Sequence, residues 1–337
     1  ELMISVDLYL NETTRHADVI LPVPSQLQRD HYDVLLLQFA IRNVANYSTP
    51  VLSLDDGQPD EWEILAKLGM IAQGLGPDAD PHLADDLAIE GLVRNSIGDP
   101  SSPIHGRNAD EIIDALNADG RRGPARMLDF MLQTGPYGAG FGTNSGGASL
   151  QLLLDNPHGV DFGALESRLP DALRTRTGMI ELAPEPLLAD VPRLLDSIDE
   201  FTKNRFVLVG RRHLKTNNSW MHNIQVLVKG NVRCSLQMHT DDAKSLDLID
   251  DSNDEVFVTV TSRVGSVVVS VEISEDIRPG VVSLPHGWGH DHPGTRMRIA
   301  ESLSGVNSNI LSDHEAMDPL SGTSVLNGIP VSIAKIG

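Results

Sequence analysis

One short segment concentrates side chains that could bind an anion, namely GRRHLKTNNSWMHN at residues 210–223. The window 205–240 around it contains six Arg or Lys residues and no Asp or Glu, although the whole chain carries a net charge of −21. Guanidinium groups pair with phosphate oxygens, and amide side chains both donate and accept hydrogen bonds at ring edges. The segment therefore predicts a site for a phosphorylated heterocycle, and a solvated surface turn is the alternative.

A second segment, LPHGWGHDH, places glycines on both sides of Trp288. Such glycines let the backbone approach a ligand closely, with the histidines as hydrogen-bond donors. The alternative is a metal site, as in a metal-dependent hydrolase, built from His286, His290 and His292 with Asp291. Because their spacing matches no zinc signature such as HExxH, a ligand-binding loop is favoured.

A third segment, GVNSNILSDHEAMDPLSG, carries Asn307 and Asn309 next to apolar residues. A buried amide without a hydrogen-bond partner is costly, so these side chains either bind a ligand or cap turns.

Two further features are interpreted as structural. The glycine-rich stretch GPYGAGFGTNSGG follows a predicted helix and lacks a Lys-Ser/Thr pair, which favours a flexible loop over a phosphate cradle. The single cysteine, Cys234, excludes a disulfide framework and a four-cysteine iron–sulfur cluster within this chain. A core position is favoured for it over a nucleophilic role.

Strands and helices are mixed in the N-terminal part of the chain, which predicts an α/β layer with a parallel sheet. A proline-rich connection at 170–192 follows, and the domain boundary is placed near 196–203. The predicted strands are 2–10, 18–21 and 179–182, and the predicted helices are 60–74 and 108–117.

Beyond residue 203 the pattern changes to short strands bounded by Gly, Pro, Asn and Asp. A closed all-β barrel accounts for these strands better than an open sheet, because closure removes exposed edges. The predicted strands are RFVLVG, IQVLVKG, EVFVTVTS, GSVVVSVEI and GVVSLP, with a turn at SRVG.

The composition limits the classes of partner. The 47 acidic residues outnumber the 26 basic ones, which disfavours nucleic acid and anionic membranes unless a local patch overrides the balance. No stretch reaches the ~18 apolar residues of a membrane span, and the first residues lack a basic signal-peptide region. The sequence therefore predicts a cytoplasmic protein without a membrane span, and its start inside a predicted strand suggests part of a longer polypeptide.

The chain also carries six motifs in a characteristic order and spacing: NETTRHADVILP, RTRTGMIEL, GRRHLKTNNSWMHN, MHTDDAKSLDLIDDSNDEVFVTVTSRVG, PGVVSLPHGWGH and GVNSNILSDHEAMDPLSGT. In these motifs it resembles the C-terminal part of a molybdopterin oxidoreductase. The family is that of dimethyl sulfoxide reductase, which includes formate dehydrogenases and nitrate reductases. The resemblance runs the length of the chain.

The resemblance implies a six-stranded double-psi β-barrel at 196–337, preceded at 1–195 by the remainder of the α/β cofactor domains with an incomplete parallel sheet. The barrel would cover a bis-molybdopterin guanine dinucleotide (bis-MGD) that carries molybdenum or tungsten. The implied cofactor-binding residues lie in three loops and are Arg211, His213, Asn217, Asn218, Ser219, Trp220, His286, Trp288, Asn307 and Asn309.

Two parts of the family pattern are missing: the cysteine motif for an iron–sulfur cluster and the Cys, selenocysteine or Ser ligand of the metal. Both are expected upstream of Glu1, so no catalytic residue or metal ligand is assigned and the fragment alone is expected to be inactive. The expected partners are the upstream part of the polypeptide and a redox partner subunit. Formate oxidation is the first candidate activity and nitrate reduction the second. A stand-alone double-psi barrel binding module is the alternative from another class.

Overall fold

The computed structural model describes residues 2–203, 206–230, 234–249 and 255–336. The chain divides into two compact units, Glu1–Leu8 with Asp18–Ala172, and Tyr9–Ala17 with Leu173–Gly337. The second unit is therefore discontinuous in sequence. Two cations of the predicted basic window lie outside the described residues, namely Arg205 and Arg233.

A two-stranded parallel sheet opens the first unit, formed by β1 (Ile4–Val6) and β2 (Val19–Leu21). This pairing confirms the predicted α/β class with parallel strands. The predicted strand at 2–10 is shorter than expected. The Asp7 N–H donates to the last carbonyl of β2, and Pro22 follows β2, so the ladder ends there.

Side-chain caps begin both helices that the sequence predicts. The Asp60 carboxylate begins α1 in a capping box with Glu63, and Asn108 Oδ1 accepts from the Asp110 N–H at the start of α3. Strands β3 and β5 pair antiparallel, as do β4 and β6. The remaining elements of this unit are β3 (His31–Tyr32), β4 (Arg42–Ala45), β5 (Tyr47–Ser48), α1 (Glu61–Ala72), α2 (Pro81–Gly98), α3 (Ala109–Asn117), α4 (Gly123–Thr134), α5 (Leu150–Leu154) and β6 (Val160–Ala164).

An ion cluster is buried between α2 and α4. Arg126 is 1% exposed, and its Nη2 atom lies 2.7 Å from Asp85 Oδ2 and 2.8 Å from Asp86 Oδ1. A buried charge must be paired in this way because an unpaired one costs several kcal/mol. The cluster lies in the same helical layer as an apolar core formed by Ile89, Val93, Ile104, Ile112, Leu116 and Phe130.

In the connection, the predicted strand at 179–182 is wrong. The structure has a turn there, in which Gly178 N–H donates to Thr175 O and Thr175 Oγ1 donates to Met179 O. No strand of the described residues pairs with this segment, so its backbone bonds locally. Two helices follow, α6 (Glu185–Ala189) and α7 (Val191–Lys203). The predicted boundary at 195/196 falls inside α7 and stays a prediction.

Six strands of the described residues close into a barrel in the second unit, in the order β10-β8-β11-β7-β12-β9. The pairs β7–β11 and β8–β10 are parallel, and the other four neighbouring pairs are antiparallel. The predicted six-stranded barrel is confirmed. Its elements are β7 (Phe206–Arg211), α8 (Gln225–Val228), β8 (Ser235–His239), α9 (Thr240–Ser245), β9 (Phe257–Thr261), β10 (Ser266–Ser274), β11 (Val281–Pro285), α10 (Arg298–Glu301) and β12 (Ile329–Lys335).

One predicted barrel strand is wrong and another strand was missed. The segment IQVLVKG forms the single turn α8, because the N–H groups of Leu227 and Val228 bond back to Ile224 O. Strand β12 closes the barrel instead, between β7 and β9. Its buried residues alternate with exposed ones over Ile329–Lys335, which is the period-two signal of a strand.

Candidate functional site

Two loops leave the same end of the barrel. Strands β7 and β11 run parallel in a register that sets Arg211 beside Pro285, so both chains emerge at one edge. The loop after β7 carries the predicted basic segment, and the loop after β11 carries Trp288 and its histidines. The topology thus brings together two segments that the sequence singled out separately.

Hydrogen bonds join these two loops directly. Asn218 Oδ1 lies 2.9 Å from His286 Nε2 and accepts from Arg212 Nη1 at 2.9 Å. Gly287 has φ +85°, and a Cβ atom there would lie 2.3 Å from Asn218 O. Only glycine lets the second loop approach the first this closely.

The third segment meets the second loop at another glycine. Gly289 has φ +102°, and a Cβ atom there would lie 2.5 Å from Asn307 Cβ. The Asn307 side chain accepts from the Asn309 N–H at 2.9 Å, so it caps the short helix at Ser308–Leu311. The turn-capping alternative is observed for Asn307, and ligand binding by either amide stays a prediction.

A groove of about 520 Å³ opens along the first loop. The exposed side chains of Arg212 and Lys215 line it, together with His213, Asn217 and Asn218. No carboxylate is among the described residues that line this groove. It therefore combines positive charge with hydrogen-bonding groups, as the sequence predicts. Trp220 does not line it and is 58% exposed.

Arg211 occupies a different position from these exposed cations. Its guanidinium donates to Ser283 O at 3.1 Å and to Ser235 O at 3.0 Å, and Nη2 lies 3.8 Å from the Glu272 carboxylate. Its Nε–H also points to His213 Nε2 at 3.4 Å. Burial lowers the pKa of Arg211, and Glu272 acts in the opposite direction. Arg211 thus links three strands at the barrel end, and its contact with a cofactor stays a prediction.

Trp288 is buried and packs between two histidine rings. The ring centroid of His222 lies 4.2 Å from that of Trp288, and that of His213 lies 6.3 Å away. His222 Nδ1 lies 2.7 Å from His290 Nε2, and His290 Nδ1 lies 2.9 Å from Glu12 Oε1. The sequence predictions did not include His222 or Glu12, because only the three-dimensional fold brings them to Trp288.

Cys234, His286 and His290 each have defined hydrogen-bond partners. The Cys234 thiol is buried, accepts from the Val306 N–H at 3.3 Å, and has its pKa raised by burial. The core position expected for it is confirmed. His286 and His290 bond to different partners, and no group of three His, Cys, Asp or Glu residues in the described part of the chain is arranged to hold a metal.

Residues 206–330 match the family model of the molydopterin dinucleotide binding domain. The whole chain is similar in structure to acetylene hydratase from Pelobacter acetylenicus, with a TM-score of 0.52 and 19% sequence identity. The match covers 100% of this chain and 40% of that one, so this chain spans less than half the length of its structural neighbour. At this identity the likeness shows the fold alone. No curated protein sequence matches the chain.

Among the described residues, no helix is both long enough and apolar enough to cross a membrane.

Proposed function

We propose that this chain, whose residues 206–330 match the molydopterin dinucleotide binding domain, holds a pterin dinucleotide at the end of its barrel where the three loops meet. The observation that carries the proposal is the groove along the first loop, where Arg212 and Lys215 stand beside two asparagines without a lining carboxylate. In a chain with a net charge of −21, such a site is suited to an anion. A dinucleotide combines phosphates with heterocyclic rings, and the groove offers partners for both.

The residues proposed to bind the cofactor divide by chemistry. Arg212 and Lys215 are placed to pair with phosphate oxygens, since both are exposed in the groove. Asn217 and Asn218 lie in the left-handed region at φ 41° and 62°, and both line the groove. The proposed binding set also retains Arg211, His213, Ser219, Trp220, His286, Trp288, Asn307 and Asn309 from the sequence predictions.

The fit rests on the donor set and on the two close approaches at Gly287 and Gly289. The glycines let the second loop pack closely against the first and third loops. Trp288 Nε1 is buried without a hydrogen-bond partner in the described part of the chain, which leaves one donor for a bound group. A molybdenum or tungsten centre would supply two-electron redox chemistry to the whole enzyme.

We further propose that the complete protein is a bis-MGD oxidoreductase of the dimethyl sulfoxide reductase family, with formate as its substrate. The support for formate is the resemblance of the sequence motifs, and nitrate reduction is the second candidate. An iron–sulfur cluster and a metal ligand elsewhere in the polypeptide, a redox partner subunit, an inactive isolated fragment and a cytoplasmic location belong to the same proposal.

Titration calorimetry with guanosine diphosphate, which carries a guanine ring and a pyrophosphate, tests the cofactor site on the chain itself. Binding by the parent and weaker binding by Arg212→Ala are expected, while Lys229→Ala serves as a charge-matched control on an exposed residue outside the groove. Equal binding by all three proteins would contradict the proposed site. Formate-dependent reduction of a dye by the complete polypeptide, with nitrate as the comparison, tests the substrate.

A further inference from the structure

A line of hydrogen-bonding groups runs from the loop at 9–17 to Trp288, and every member belongs to the second unit. Glu12 Oε1 lies 2.9 Å from His290 Nδ1, and His290 Nε2 lies 2.7 Å from His222 Nδ1. Both histidines are almost fully buried, at 3% exposed for His290 and 1% for His222. The two histidines are therefore shielded from bulk water, and the positions of their protons are set by their hydrogen-bond partners.

The positions of the protons follow from the chemistry of the groups. A carboxylate only accepts hydrogen bonds, so His290 must carry a proton on Nδ1. In the neutral ring, His290 Nε2 then has a lone pair and must accept from a proton on His222 Nδ1. Neutral His222 is left with a lone pair on Nε2. That atom is buried without a hydrogen-bond partner, as is the Nε1–H donor of Trp288 in the adjacent ring.

We propose that Glu12 is a positioning residue, which acts through His290 to hold His222 in the Nδ1–H tautomer and so leaves Nε2 as an acceptor in the ring that packs against the Trp288 indole. An acceptor next to a donor is complementary to a lactam edge, in which a ring N–H adjoins a carbonyl. The pair would thus take a neutral ring edge and not an anion. The inference rests on the proposed function only for the source of that ring, which is either the pterin or the guanine.

The surroundings support a neutral His222. The pKa of His222 is lowered to about 4, mainly by burial and also by His290 and His213, while the Gly287 backbone and Glu12 act in the opposite direction. Nε2 itself has no hydrogen-bond partner among the described residues. His222 and Trp288 also line a cavity of about 200 Å³ together with Thr216 and Cys234, a volume suited to one small ring. Among the causes of the shift in the His222 pKa, Glu12 is the one carboxylate.

Long-range ¹H–¹⁵N spectroscopy of the imidazole rings tests the tautomer without any cofactor. In the parent at neutral pH, His222 is expected to be protonated on Nδ1 and not on Nε2, with its signals assigned by their loss in His222→Gln. Glu12→Ala is expected to introduce the Nε2–H form. Glu12→Gln should largely restore the parent pattern, because the amide oxygen can also accept from His290. Glu301→Ala, at an exposed glutamate in the same unit, is the matched control.

An unchanged His222 tautomer in folded Glu12→Ala, or an Nε2 atom that is already protonated in the parent, overturns the inference. If Glu12→Ala does not fold, a pH titration of the parent decides instead. His222 Nε2 should then stay unprotonated well below the ordinary histidine pKa of about 6.5. A midpoint at that ordinary value would overturn the inference as well.

The ring-edge specificity is tested with 2-pyridone, a small lactam, by following the signals of His222 Nε2 and Trp288 Nε1. N-methyl-2-pyridone, which lacks the N–H donor, should bind at least about threefold more weakly because one hydrogen bond is lost. Equal perturbation by the two compounds overturns the assignment. Guanosine and 6-hydroxymethylpterin are then compared to identify the ring, and perturbation by neither also overturns it. Guanosine diphosphate binding at the groove is scored separately, so failure here leaves the proposed function intact.

Discussion

The Arg211 guanidinium donates to the Ser283 carbonyl at 3.1 Å, which ties the end of β7 to its parallel neighbour β11. The same side chain donates to the Ser235 carbonyl on β8 at 3.0 Å. Its donors are thus directed into the barrel end, whereas those of Arg212 face the groove. Replacing Arg211 is therefore expected to lower stability, whereas replacing Arg212 is expected to weaken ligand binding.

Arg211→Ala is expected to lower the free energy of unfolding by about 2–3 kcal/mol, since charge-assisted bonds to two carbonyls are lost. Guanosine diphosphate affinity should fall with it, because the first loop starts at this residue. Urea denaturation and calorimetry measure the two effects. An Arg211→Ala protein as stable as the parent would contradict the structural role.

Arg212→Ala should leave the free energy of unfolding unchanged and weaken guanosine diphosphate binding by about five- to tenfold. The reason is that Arg212 is exposed and bonds only to Asn218 Oδ1 among the contacts described above. Calorimetry at two salt concentrations is the measurement, and the difference should shrink at high salt because screening weakens the pairing. A difference that persists undiminished at high salt would argue against phosphate recognition.

Stability should fall on acidification through His222. Its pKa is lowered to about 4 in the folded protein, so below pH ~6.5 the unfolded chain takes up a proton that the folded protein does not. Between pH ~6.5 and ~4 this group should lower the free energy of unfolding by about 3 kcal/mol, with no effect at higher pH. Urea denaturation across this range should show a shallower decline for His222→Gln. His158→Gln, at an exposed histidine, should follow the parent.

Arg126→Met should destabilise the first unit by about 3–5 kcal/mol, because the buried carboxylate of Asp85 loses its nearest cation and keeps only the Gly123 N–H and Arg122 at 3.9 Å. Arg94→Met is the matched control, since Arg94 pairs with Glu90 at 2.8 Å on an exposed helix surface and should cost only about 0.5 kcal/mol. Thermal and urea denaturation measure both. Similar losses for the two variants would show that burial does not distinguish these pairs.

Gly287→Ala should disturb the site more than the strain of a left-handed alanine alone would. An added Cβ would lie 2.3 Å from Asn218 O, so the two loops must separate. Gly142 has φ +92° with open space around it, and Gly142→Ala should cost only the ~1–2 kcal/mol of left-handed strain. Loss of the His286–Asn218 contact by NMR, together with weaker guanosine diphosphate binding, is expected for Gly287→Ala alone.

Local patterns predicted much of this fold, and long-range contacts account for the differences. The caps at Asp60 and Asn108 and the β9–β10 hairpin depend on nearby residues, so short windows reveal them. By contrast, IQVLVKG has the composition of a strand, but the partners it would need are already paired with other strands. The three site segments could be recognised from residue types. The line from Glu12 to His222 could not, because it depends on a contact across 278 residues.

That separation also sets an order of events during synthesis. Glu12 leaves the ribosome 278 residues ahead of His290, a delay of about 15–55 s at ~5–20 residues per second. Strands β1 and β2 flank the loop at 9–17 and are complete by Leu21, so both strands at the base of the loop are made early in this interval. The loop at 9–17 is therefore made well before the histidine with which it pairs. A translational pause before residue 290 would lengthen the time during which the Glu12 carboxylate is solvated and without its His290 partner.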